Sequence, residues 1–249
     1  IHTTGLSPQE IEAILTAHDS ALASGDGVLK DQPRTAVTRV RGGTGWVCVK
    51  EYRRQGMVDR TKDVLRGSRA SRAWEGARRL AADGIAAPEP LAVAERGHAA
   101  YLLTRYIEEA VPLNRMLADR FGGRLSAEEA QAKRRLIEQL AQWLRHAHDS
   151  GVYHDDWSAK NILVAEAADR WVFHLLDFES ISPRKPLTRR RMAKNLAQLS
   201  DIPRGVSRTD KMRFMIAYAR GDESLLRDRF PREVMAMARQ RVLARERHR

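Results

Sequence analysis

The side chains most able to do chemistry stand in the stretch Gly151-Val-Tyr-His-Asp-Asp-Trp-Ser-Ala-Lys-Asn-Ile-Leu-Val164 and in Leu175-Leu-Asp-Phe178, which follows it. A carboxylate in a polar loop orients a hydroxyl and takes its proton, a role that suits Asp156. A side-chain carbonyl and a second carboxylate are the hard oxygen donors that Mg²⁺ prefers, which suits Asn161 and Asp177 when phosphate oxygens complete the shell. Taken singly, Asp and Asn are common turn formers because both bond nearby backbone. Here their order, with an apolar strand on each side, sets them apart. His154 reads as an organiser of the loop backbone.

The elements that must position these groups follow from hydrophobic period and from start and stop signals. Ser7-Pro8-Gln9-Glu10 is a capping box with proline at the first helical position, opening a helix that carries Ile11, Ile14, Leu15 and Leu22 and stops at Gly25-Asp26-Gly27. Short strands follow at Val28–Lys30, Thr35–Val40 and Trp46–Tyr52, the last ending near Lys50. Gly42-Gly43-Thr44-Gly45 reads as a hairpin turn. A helix over Ser68–Ala82 places Ala70, Ala73, Trp74, Ala77 and Leu80 at helical spacing, with Glu75 its only acid. A second hairpin spans Leu91–Glu95 and Ala99–Arg105. Short and long helices begin near Pro112 and Ser126, the long one carrying the stripe Leu136, Leu140, Trp143, Leu144 and Ala147 under the polar loop. Helices are expected at Arg190–Leu199, around Met212–Tyr218, and as one run over Leu225–Leu243.

Composition bounds the rest. The 249 residues suffice for one large domain or two lobes. One cysteine, Cys48, allows no internal disulfide and reads as a buried thiol in a reducing compartment. No apolar run has the length of a membrane helix, and the first residues lack a basic-then-apolar signal; Ile1 in first place is consistent with a removed leader or initiator. Lysine and arginine number 44 against 32 acids, a net charge of +12, which favours anionic partners. No nucleic-acid motif accompanies that charge, so nucleic acid is not the expected partner. His146 and His148 lack further ligands at metal-site spacing, which argues against zinc.

The order His154-x-Asp156 followed by Asn161, then Asp177-Phe178 after a hairpin, resembles the catalytic and metal loops of the protein-kinase fold. With Thr35–Tyr52, the basic residues after Glu179 and Arg213-Phe-Met-Ile-Ala-Tyr218, it resembles the lipopolysaccharide kinase (Kdo/WaaP) family from about Leu29 to Tyr218. That resemblance implies an α+β, two-lobed kinase-like fold: a small antiparallel N-lobe with a helix over 1–106 and a larger, mainly helical lobe over 107–249. It implies a kinase using ATP and Mg²⁺ on a sugar hydroxyl, Kdo or heptose, of the lipopolysaccharide inner core, at the cytoplasmic face of the inner membrane.

Carried residue by residue, Asp156 would be the base, Asn161 and Asp177 the metal ligands, Lys50 the lysine on the α and β phosphates and Glu75 its partner. The nucleotide loop would be Lys30–Thr35, with Arg34, Thr35 and backbone amides cradling phosphate without the usual glycines. Backbone between Arg105 and Ile107 would meet adenine. Lys160 would supply positive charge where Ser158 replaces a common lysine. Asp155 stands where many kinases have arginine, which argues against control by activation-loop phosphorylation, and Glu179 replaces the glycine after Asp-Phe, which argues against a readily flipping loop. The polybasic Pro183-Arg184-Lys185-Pro186 and Arg189-Arg190-Arg191 either engage an anionic acceptor or simply start a solvated helix. The basic tail from Arg239 onward is a solvated helix face or a contact with anionic lipid. Two other readings stand beside this one: an aminoglycoside-type or protein kinase of the same superfamily, and a non-catalytic pseudokinase.

Overall fold

The computed structural model describes residues 2–43, 45–53, 68–168, 170–181, 187–202 and 204–247. Thr44 of the glycine hairpin, the basic Pro183-Arg184-Lys185-Pro186 and the last residue of the basic tail, Arg249, lie outside them. The chain divides into two compact units, one of residues 1–82, 87–108 and 177–179, the other of 83–86, 109–176 and 180–249.

The first unit is built on a six-stranded antiparallel sheet ordered β1-β5-β6-β4-β3-β2. Its strands are β1 (His2–Thr3), β2 (Val28–Gln32), β3 (Thr35–Gly42), β4 (Gly45–Arg53), β5 (Pro90–Arg96) and β6 (Ala99–Arg105). The glycine cluster is the expected hairpin, with Gly42 opposite Gly45. Helix α1 (Pro8–Ser24) starts at its capping box, Ser7 Oγ accepting from the Glu10 amide and Glu10 from the Ser7 amide. Its Ile11, Ile14 and Leu15 pack with Val40, Val47, Val49 and Leu103 into one core, so burial of a helix stripe on alternate strand residues fixes the register. In that register Lys50 lies between Val37 on β3 and Leu102 on β6. Helix α2 (Arg69–Ala82) buries the expected Ala70, Ala73, Trp74, Ala77 and Leu80.

The second unit is mainly helical. A small sheet, β7 (Val111–Pro112), β8 (Ile162–Ala167) and β9 (Arg170–Leu175), accompanies α3 (Leu113–Phe121), α4 (Ala127–Asp149), α5 (Arg189–Leu199), α6 (Arg208–Tyr218), α7 (Ser224–Arg227) and α8 (Phe230–Glu246). The α4 stripe lies against the polar loop: Leu136, Leu140, Leu144 and Ala147 are buried, and the Trp143 ring meets Trp157 edge-on, centroids 5.4 Å apart. The single helix expected over Leu225–Leu243 is instead two, broken at Asp228 and Arg229. Pro231 explains the break, because its ring would strike the carbonyl of Arg227 in a continuous helix. A β-sheet unit followed by a helical one is the α+β, two-lobed kinase-like fold that the sequence predicts. No helix among the described residues is long and apolar enough to cross a membrane.

Candidate active site

The loop between α4 and β8 belongs to the second unit and is fixed by its own polar side chains. Asn161 Nδ2 donates to the Asp156 backbone carbonyl at 3.0 Å and to Asp156 Oδ2 at 3.1 Å. The amide is thereby oriented: both donors point to Asp156, which leaves Oδ1 as an oxygen donor, the atom a hard cation takes. Lys160 Nζ is 3.4 Å from Asp156 Oδ2 and its side chain is 67% exposed. His154 is fully buried; its Nδ1 accepts from the Asp156 amide at 3.0 Å, so Nε2 carries the proton and donates to the Leu176 carbonyl at 3.1 Å. It spans the loop and the residue before Asp177, as the organiser role requires.

Beneath the loop, α5 places two polar side chains among its buried apolar residues. Asn195 Nδ2 donates to the His154 carbonyl at 2.8 Å and to Gln198 Oε1 at 3.0 Å. Gln198 Oε1 also accepts from the Trp157 amide at 3.2 Å, and its Nε2 donates to the Asp155 carbonyl at 2.5 Å. Asn195 Oδ1 faces His148 Nε2 at 3.3 Å, and His148 Nδ1 is 2.7 Å from the Tyr218 hydroxyl. Burial pushes the His148 pKa down to about 4, so the ring is neutral, with Nε2–H donating to Asn195 and Nδ1 accepting from Tyr218. Side chains of three helices thus form one buried network, in which the two α5 amides hold three consecutive peptide units of the loop. Asn195 and Gln198 carry no chemistry-bearing pattern; the one sequence signal was two amides three residues apart in an otherwise apolar helix face.

In the first unit Lys50 Nζ donates to Asp177 Oδ1 at 2.5 Å and to Glu179 Oε2 at 3.1 Å. Glu179 also receives the Tyr52 hydroxyl on Oε2 and Arg69 on Oε1, the latter at 2.5 Å. Lys50 and Arg69 both lie over the Tyr52 ring, 4.9 and 5.0 Å from its centroid. Burial, and then the Glu179 carboxylate, hold the Tyr52 phenol well above its usual pKa, so it stays a donor. Burial opposes charge on Arg69, yet Glu179 beside it raises the Arg69 pKa. Asp177 sits at φ 64°, a left-handed conformation that few non-glycine residues adopt. Gly76 of α2 lets this turn approach: a Cβ there would lie 2.3 Å from the Phe178 carbonyl oxygen.

The structure brings Lys50 to Asp177 but not to Glu75, which is exposed on α2. Helical phase is the reason, since the positions that bury Ala73, Trp74 and Ala77 turn Glu75 outward. The contacts of Tyr52, Arg69 and Glu179 around Lys50 were not expected, because Tyr52 and Arg69 are ordinary residues of their own segments and Glu179 was noted only as a replacement for glycine. Arg34 is exposed in the β2–β3 turn, its carbonyl accepting from the Arg53 amide at 3.1 Å, and Thr35 is buried at the start of β3. The amides of Arg105 and Tyr106 are engaged by the Glu89 and Trp46 carbonyls at 2.9 Å, and the Arg105 guanidinium by Glu89 at 2.8 Å. The half-buried Ile107 follows them. Of the basic block, Arg189 is held by Asp228 and Ser224, whereas Arg191 and Lys194 lie over the Tyr153 ring, 5.0 and 5.6 Å from its centroid. Among the described residues no cluster of three or more His, Cys, Asp or Glu could hold a metal.

No curated protein matches the chain. The sequence profile of the lipopolysaccharide kinase (Kdo/WaaP) family matches residues 28–218, which take in Lys50, Asp156, Asn161, Asp177 and Glu179 and end at Tyr218, the last member of the buried network. Members are phosphotransferases with an alcohol group as acceptor, acting on lipopolysaccharide, and by the extent of this match the chain belongs to the lipopolysaccharide kinase (Kdo/WaaP) family.

Proposed function

We propose that the protein transfers the γ-phosphoryl group of ATP, with Mg²⁺, to a hydroxyl of Kdo or heptose in the lipopolysaccharide inner core. The observation that carries this reading is the Asn161 clasp on Asp156, which fixes a carboxylate and an amide oxygen in one loop. Asp156 orients the acceptor hydroxyl and takes its proton as the new oxygen–phosphorus bond forms and the bond to the ADP oxygen breaks. Lys160, an exposed cation beside Asp156, offsets charge on the transferred group. Asn161 and Asp177 are the metal ligands; a bound Mg²⁺ would neutralise phosphate charge. Lys50 holds the α and β phosphates, Arg34 and Thr35 flank the phosphate side, and backbone between Arg105 and Ile107 meets adenine. Residues 1–106 serve as the nucleotide lobe and 107–249 as the catalytic lobe.

Acceptor anions are met by Arg191, which stacks on Tyr153 beside the loop, while Arg189 is already paired. Helix α8 is the surface for the anionic inner face of the inner membrane: its exposed Met235, Val242 and Leu243 share the helix with exposed Arg232 and Arg239, the mixture that interfacial binding uses. The test is ATP turnover with Mg²⁺ and lipid A bearing Kdo or heptosylated core. Acceptor-stimulated turnover in the wild type that vanishes in Asp177→Ala is the expected result. Nucleotide binding without stimulation by either acceptor would overturn the acceptor assignment.

A further inference from the structure

Lys50 needs an opposite charge to stand where it can meet phosphate. Among the described residues α2 supplies none: Glu75 faces solvent, and the α2 residue that reaches the site is a second cation, Arg69. The carboxylate that answers both cations is Glu179, whose side chain is 9% exposed and which also takes the Tyr52 hydroxyl. Among the described residues Lys50 and Arg69 face Asp177 and Glu179, two cations against two anions, which offsets the cost of half-desolvated charge. A carboxylate assigned to a metal cannot also be the sole anchor of the lysine, so of the anions on Lys50 among the described residues Glu179 takes that task.

We infer that Glu179 is the positioning residue for Lys50, replacing a helix-borne glutamate with one on the Asp177-Phe178-Glu179 turn, and that Arg69 and Tyr52 hold Glu179 in turn. The inference deepens the proposed ATP site and rests on it. The phosphate lysine and the metal aspartate are thereby set by a single turn, packed on α2 through Gly76. Arg69 ties the start of α2 to the same carboxylate, so α2 needs no acid of its own at the site. The arrangement accounts for the glutamate that stands where many kinases have glycine.

A thermodynamic cycle on the purified chain separates positioning from mere folding. Equilibrium binding of Mg²⁺–ATP is measured by calorimetry for wild type, Glu179→Gln, Lys50→Met and the double variant, with the unfolding midpoint of each. Glu179→Gln should weaken binding about tenfold in the wild-type background, as loss of a supporting partner typically does, and less than about twofold where Lys50 is already absent. An equal loss in both backgrounds, or none in either, would overturn the role. If Glu179→Gln does not fold, Glu179→Asp, which keeps the charge and shortens the reach, goes through the same cycle under the same criterion. Wild type that fails to bind Mg²⁺–ATP overturns the nucleotide reading itself, and this inference with it, and is told apart by that first measurement.

Discussion

Asn195 on α5 donates its side-chain N–H to the backbone carbonyl of His154 at 2.8 Å, and both groups are buried. A loop that carries Asp156 is thus held from below by a side chain 41 residues on in the chain. Replacing Asn195 with alanine takes a donor from the His154 carbonyl and removes the acceptor that the His148 N–H uses. The expected cost is about 1–3 kcal/mol in unfolding free energy for each buried group left unsatisfied. Turnover should fall more than ATP affinity, because the loop moves and the first unit does not. Denaturant unfolding and a kcat-against-KM comparison check both statements.

The neutral state of His148 makes stability depend on pH. Its folded pKa, pushed down to about 4 by burial, lies below the ordinary histidine value, so the unfolded chain binds the extra proton first. Stability is therefore fully present above about pH 6.5 and falls as pH drops toward 4, by up to about 1.4 kcal/mol per pH unit. His18 and His174 are also lowered by burial and act in the same direction. The unfolding free energy should fall between pH 7 and 4 accordingly, and His148→Asn should reduce the slope of that pH dependence without abolishing it.

Asp156→Asn keeps the size of the side chain and its hydrogen bond with Asn161 but cannot take a proton. Phosphoryl transfer should drop by about 10²–10⁴-fold if Asp156 is the base, with Mg²⁺–ATP binding nearly unchanged. Near-full turnover in this variant would refute the assignment.

Gly76 permits the contact between α2 and the Phe178 carbonyl. In Gly76→Ala the added Cβ meets backbone rather than a movable side chain, so one of the two segments must shift. The expected loss is about 1–3 kcal/mol, read as a lower unfolding midpoint, together with weaker Mg²⁺–ATP binding because Asp177 and Glu179 share that turn. Unchanged values for both would mean that the turn accommodates a methyl group.

Burial also bears on the lone thiol. The Cys48 pKa is pushed up to about 11 by desolvation, so little thiolate exists at neutral pH. Labelling by a maleimide in native buffer should be much slower than in denaturant; equal rates would show an accessible thiolate instead.

What the sequence determined by itself is whatever short-range chemistry specifies. The capping serines started α1 and α4, strand alternation placed Lys50, and eight consecutive residues from His154 to Asn161 held the loop chemistry, since side chains so close in the chain meet whatever the rest of the fold does. The tertiary structure decided the partners. Lys50 is answered by Glu179, 129 residues away, and not by Glu75, because the angular phase of α2 against the sheet, set by burying Ala73 and Trp74, turns that acid to solvent. Asn195 and Gln198 became a latch because α5 packs with its amide pair inward, where desolvated backbone carbonyls of the loop required donors. Such choices depend on which surfaces are buried together, a property of the folded chain as a whole that no local run of residues encodes.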